Sequence, residues 1–93
     1  MTDPLALLRA KFVARCAEDL LALQAGLSSP DLRRVVHRIA GASGMFGYDA
    51  LGDLGRRLDD QAHAGQEFSE SDLAELNAAL EAVARERAAE SED

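Results

Sequence analysis

Apolar residues recur at three- and four-residue steps through most of this chain. They do so in four blocks parted by glycine, serine and proline, a spacing that fits one amphipathic helix per block. Leu5, Leu8, Phe12, Cys16, Leu20, Leu23 and Leu27 form the first stripe. A second row, Ala6, Val13, Ala17 and Leu21, widens it and suits either core or a docking surface. Leu32, Val35, Val36, Ile39, Ser43 and Phe46 share one side of the second block. Leu51, Leu54, Leu58 and Ala62 do so in the third, and Leu73, Leu76, Leu80 and Val83 in the fourth. Alanine and leucine dominate and β-branched residues are few, which favours helix over sheet. Four such helices with short connections make an all-α fold, an antiparallel up-down four-helix bundle. One domain over residues 1–93 is expected, with helices at about 4–26, 30–46, 48–64 and 70–90.

The connections carry matching start and stop signals. Asp3 caps the first helix with Pro4 at its first position. Ser29 reads as the cap of the second, followed by Pro30 and by Asp31 in the acid-favouring first turn. Gly47 and Gly65 suit left-handed closing positions, and Phe68 is placed to tuck under the end of the bundle. Ser69 and Asp72 have the spacing of a capping box. Glu90-Ser91-Glu92-Asp93 reads as a frayed acidic tail.

A net charge of −7 argues against nucleic acid or an anionic membrane as partner, since both call for a basic face. No secretory leader or membrane span is evident, and a cytoplasmic monomer is expected. Cys16, the only cysteine, lies in an apolar stripe and reads as a small buried hydrophobe with no disulfide partner in the chain.

His37 stands apart from this pattern. At about 100° per residue it projects opposite the apolar stripe of the second helix, with Arg33, Arg34, Gly41 and Gly44 around it. A glycine inside a helix costs ~1 kcal/mol relative to alanine, so Gly41 calls for a reason. One turn on from His37, it clears the patch that the imidazole overlooks, leaving a histidine on a bare shelf open to a large partner.

The run His37, Ile39, Ala40, Gly41, Ala42-Ser43, Gly47 and Leu51 resembles the motif of the histidine-containing phosphotransfer (HPt) domain. That family has a histidine, a hydrophobic residue two on, a lysine three on and a glycine four on. Small residues follow, then a glycine ten on and a leucine fourteen on. The match continues through Gly55 and Leu58, and Ala40 stands where the family has its lysine.

The resemblance implies a phosphoryl carrier in a multistep two-component phosphorelay. His37 would accept a phosphoryl group from a receiver-domain aspartate or a hybrid histidine kinase and pass it to a response regulator. A neutral imidazole is a competent nucleophile with an ordinary pKa of about 6.5. The receiver would supply the aspartate, an acid pocket and Mg2+; no metal site or cofactor is expected in this chain, and no Gly-rich nucleotide loop appears. With the lysine replaced by Ala40, Arg33 and Arg34 are the candidates to offset phosphoryl charge, and Arg38, to the side, a lesser one. The family also places a polar residue of the third helix near the histidine. Asp59 is twenty-two positions after His37, but its charge would repel a phosphoryl group, so Arg56 is preferred there. Asp59 is expected to pair with His63 or Arg56, and His63 to be structural or solvated.

Two rival readings differ in class. A non-phosphorylated helical adaptor that binds a receiver or kinase domain is favoured by Ala40. A histidine-kinase dimerisation domain would follow its histidine with an acidic residue and, four positions further on, a proline; Arg38 and Ala42 occupy those places.

Overall fold

The computed structural model describes residues 3–91, and side chains as far as Glu86. Four helices follow one another: α1 (Pro4–Ala25), α2 (Ser29–Ala42), α3 (Asp49–His63) and α4 (Glu70–Ser91). A single 3-10 turn, Ser43–Phe46, continues α2 toward α3. They form the up-down antiparallel bundle, with α1 against α4 and α2 against α3 as the two broad contacts. Glu90 and Ser91 fall within α4, so the frayed tail does not begin there, and Glu92 and Asp93 lie outside the described residues.

The core draws on every helix. Val13 and Cys16 come from α1, Leu32, Val35, Val36 and Ile39 from α2, Leu51 and Leu58 from α3, and Leu76, Leu80 and Val83 from α4. Phe12, Leu20, Leu23, Leu27, Leu54, Phe68 and Leu73 pack on its margin. Burial pushes the Cys16 thiol up to about 12, helped by the adjacent Asp19 carboxylate, which makes this thiol inert. Of the second row of α1, Val13 is core and Ala17 half-buried, while Ala6 and Leu21 at its two ends are exposed. Leu5 and Leu8, expected inside, are exposed. They sit at the end of the bundle, where Met45 and Phe46 of the 3-10 turn line one shallow cavity with Leu5, Ala6 and Arg9.

The helix ends explain the remaining differences from the sequence reading. Asp3 caps α1, its carboxylate accepting from the Leu5 N–H at 3.0 Å. The cap of α2 is Ser28 rather than Ser29. Its hydroxyl accepts from the Asp31 N–H at 3.4 Å and donates to the Asp31 carboxylate at 3.0 Å, so one hydroxyl both caps the helix and holds the first-turn acid. α2 proper stops at Ala42, where the chain tightens and the buried Ser43 hydroxyl donates back to the Ile39 carbonyl at 2.7 Å. Gly47 at φ 85° and Gly65 at φ 77° close their elements in the left-handed region. At the start of α4, Ser69 and Asp72 cap each other reciprocally at 2.9 and 3.0 Å.

One close approach sets the register of the α2–α3 pair. A Cβ on Gly55 would stand 2.9 Å from both the Ala40 backbone nitrogen and Ile39 Cγ2. Only glycine admits that separation without a shift of backbone. From this crossing point the antiparallel helices step apart in sequence, so that Asp59, one turn beyond Gly55, comes beneath His37.

Candidate functional site

The His37 ring is largely in solvent, its side chain 73% exposed, as expected from its position opposite the apolar stripe. Its Nδ1 lies 3.3 Å from each carboxylate oxygen of Asp59, which is itself only 19% exposed. An ionised carboxylate only accepts hydrogen bonds, so this contact puts the ring proton on Nδ1 and leaves the lone pair on Nε2. His63 approaches the same carboxylate, with Nδ1 3.6 Å from Asp59 Oδ1, and its Nδ1–H donates to the Asp59 carbonyl at 2.8 Å. The two imidazole centroids are 6.3 Å apart. Arg33, Arg34, His37, Asp59, Ala62 and His63 line one open cleft of about 420 Å³.

Asp59 thus pairs with His63, as expected, but also with His37 and not with Arg56. The preference for Arg56 over Asp59 beside the histidine weighed only the phosphoryl charge. It left out the favourable contact of a carboxylate with the far ring nitrogen. His63, read as structural or solvated, is a second wall of the cleft. Its i,i+4 spacing from Asp59 was the available signal, and it pointed to the pair without showing that α3 would lay both against α2.

The arginines separate into distinct roles. Arg33 and Arg34 line the cleft. Arg34 is tied to Asp31 at 3.1 Å, whereas Arg33 makes no ion pair among the described residues. Arg38 is turned away from the cleft. Its guanidinium grips Asp19 of α1 through two hydrogen bonds of 2.7 and 3.0 Å, and that bond raises its already high pKa. Asp19 is buried at 4% exposure and also receives Arg15 at 3.5 Å. Arg38 is therefore a clamp between helices rather than a neighbour of His37. Asp19, three residues after Cys16 on the inward side of α1, was the overlooked sign of that clamp. Arg56 hydrogen-bonds Asp53 one turn back on its own helix, with Nη1 beside Gly52, and does not reach the cleft lining.

Gly41 and Gly44 are exposed, and a Cβ on either would meet nothing within 4 Å. Internal packing therefore gives no reason for glycine at these places, and the surface beside His37 is bare. Ala40 is half-buried at the α2–α3 crossing, its backbone nitrogen and Cα facing Gly55. No helix among the described residues is long and apolar enough to cross a membrane.

The family model of the Hpt domain matches residues 7–86. Nothing matched among curated proteins or among solved structures. The match takes in all of α2 and α3 and most of α1 and α4, so it covers the whole helical framework that carries the His37 cleft. This chain belongs to the Hpt domain family, with a histidine phosphotransfer role in two-component signalling and receiver or kinase domains as its kind of partner.

Proposed function

We propose that His37 is the phosphoryl carrier of a multistep phosphorelay, loaded by a receiver-domain aspartyl phosphate or a hybrid kinase and discharged onto a response regulator. The observation that carries this reading is the exposed ring whose Nδ1 is held by Asp59 at 3.3 Å, so that the reactive pair sits on the other ring nitrogen, Nε2.

In loading, the Nε2 lone pair forms the new N–P bond as the aspartyl O–P bond breaks, and its electrons return to the receiver's aspartate as carboxylate. The ring becomes a phosphorylated imidazolium, whose Nδ1–H faces the Asp59 carboxylate. Discharge runs the same steps in reverse. A magnesium ion bound by the receiver would supply charge neutralisation at the phosphoryl oxygens. Arg33, which makes no ion pair among the described residues, borders the phosphoryl group on this chain and favours its added charge of about −1.5 to −2, with Arg34, paired to Asp31, beside it. Gly41 and Gly44 leave the surface beside His37 clear for the receiver to dock.

Incubation of the purified chain with a panel of phosphorylated receivers tests this. Acid-labile, base-tolerant label is expected on the wild type and none on His37→Ala. Label that survives in His37→Ala and is lost in His63→Ala would overturn the assignment. Binding of a charged receiver with no transfer would instead support an adaptor.

A further inference from the structure

We propose that His63 is the charge-compensating residue of the phosphorylated state, binding as an imidazolium to the phosphoryl group on His37. This inference rests on the reading of His37 as the phosphoryl carrier.

The problem that His63 solves is visible in the cleft. A phosphoryl group on His37 brings about −1.5 to −2 charges to within one ring's width of the Asp59 carboxylate. Several nearby cations are already engaged: Arg34 with Asp31, Arg38 with Asp19 and Arg56 with Asp53. Arg33 and the ionisable His63 are the basic groups left in the cleft lining, and of these His63 shares Asp59 with His37.

The geometry suits the task. Donation from His63 Nδ1 to the Asp59 carbonyl at 2.8 Å fixes the ring on its own helix and leaves Nε2 uncommitted. With the centroids 6.3 Å apart, a phosphoryl group on His37 Nε2 stands within the reach of a second imidazole across the cleft. Protonation of His63 then converts Nε2 from an acceptor into a charged donor.

The charged groups facing His63 are few. α3 presents Asp59 and, one turn before His63 but outside the cleft lining, the exposed Asp60; α2 presents His37, Arg33 and Arg34, and Glu67 of the loop after α3 shares an adjoining cavity with Arg33. The acids that α4 brings to α3, Asp72 and Glu75, are held by Arg57 and Gln61, which lie round the helix from His63. Among the described residues, no carboxylate other than Asp59 lines the cleft.

Treatment of the full chain with phosphoramidate, followed by phosphorus and imidazole-carbon NMR titration, tests this directly. Phosphorylation of His37 is expected to raise the proton affinity of His63 about tenfold, the effect of a nearby dianion at a partly solvated site. His63→Gln is expected to lower the loaded fraction about fivefold at pH 6 and little at pH 8.5, where an imidazole is neutral in either state. His63→Arg is expected to restore loading at both. A His63 titration that does not move while His37 carries phosphate, or equal loading of His63→Gln and wild type at pH 6, overturns the inference alone. Absence of a phosphorus signal on His37 in the wild type, with phosphoramidate and with charged receivers alike, overturns both readings.

Discussion

Gly55 and Ala40 meet where α3 crosses α2, with 2.9 Å between the place of a Gly55 Cβ and the Ala40 nitrogen. Because one of the two obstructing atoms is backbone, a methyl group there forces the helices apart rather than turning a side chain. Gly55→Ala is expected to destabilise the bundle by about 1–3 kcal/mol, the range of overpacking in a well-filled interior. It should also loosen the Asp59–His37 contact one turn away. Urea denaturation gives the first effect and the His37 ring chemical shifts the second. A variant as stable as wild type would show that the two helices are not held at this separation.

Gly41 is the opposite case, a glycine with open space above it. Gly41→Ala is expected to stabilise the fold by up to ~1 kcal/mol, the helix-interior difference between the two residues. Gly41→Gln should leave the fold intact and slow transfer from a phosphorylated receiver, because its side chain covers the ground beside His37. Thermal melting and transfer kinetics on the same two variants separate stability from docking. Unimpaired transfer to Gly41→Gln would count against the bare shelf as a docking surface.

The Arg38–Asp19 clamp should behave as a partly buried ion pair. Arg38→Ala strands a carboxylate that is 5% exposed, leaving Arg15 at 3.5 Å as its remaining partner. A cost of about 1–3 kcal/mol is expected, below the range for fully buried pairs because a third of Arg38 is solvated and Arg15 persists. A double-mutant cycle with Asp19→Asn measures the coupling. If Arg38→Ala leaves stability unchanged and lowers phosphotransfer, Arg38 belongs to the cleft after all.

Asp72 gives the fold an acid limit. Hydrogen bonds from the Gln61 side chain, then from the Ser69 backbone N–H, hold its carboxyl down at about 2, below its ordinary 3.8. A group whose pKa is depressed on folding stabilises the folded state above its unfolded pKa and loses that contribution as pH falls through the folded value. Wild-type stability is therefore expected to drop between pH 4 and pH 2, and Asp72→Asn to show a smaller drop over that window. Parallel pH profiles for the two proteins would contradict the assignment.

The bundle was legible in the sequence because a 3.6-residue period, four times repeated, leaves little freedom in the choice of fold. The exposed His37 was legible for the same reason, since it lies opposite Val35, Val36 and Ile39 on one helix. What escaped were relations between helices. Asp59 and His37 are twenty-two residues apart, and the register that joins them is set by the missing Cβ of Gly55, which no periodicity encodes. Arg38 and Asp19 escaped likewise, although an acid one turn on from Cys16, beside the apolar stripe of α1, was itself a sign of a buried partner. The shift of the α2 cap from Ser29 to Ser28 was a local ambiguity, because proline is acceptable at either of the first two positions and the Ser28 hydroxyl bonds to Asp31 decide.

The carboxylate beneath His37 should matter for rate as well as for position. Asp59→Asn removes the charge that faces the ring Nδ1 and orients it. A fall of about tenfold in the loading rate is expected, the low end for a hydrogen bond to a charged group, because His37 is solvated. Stability should change little. An unchanged rate would mean that the ring needs no such partner.

Most direct of all is mass-spectrometric mapping of the phosphorylated residue after the chain has met a charged receiver. Phosphate confined to His37, and discharged when an uncharged receiver is added, is the expected result. Phosphate at His63, at a carboxylate or nowhere would contradict it.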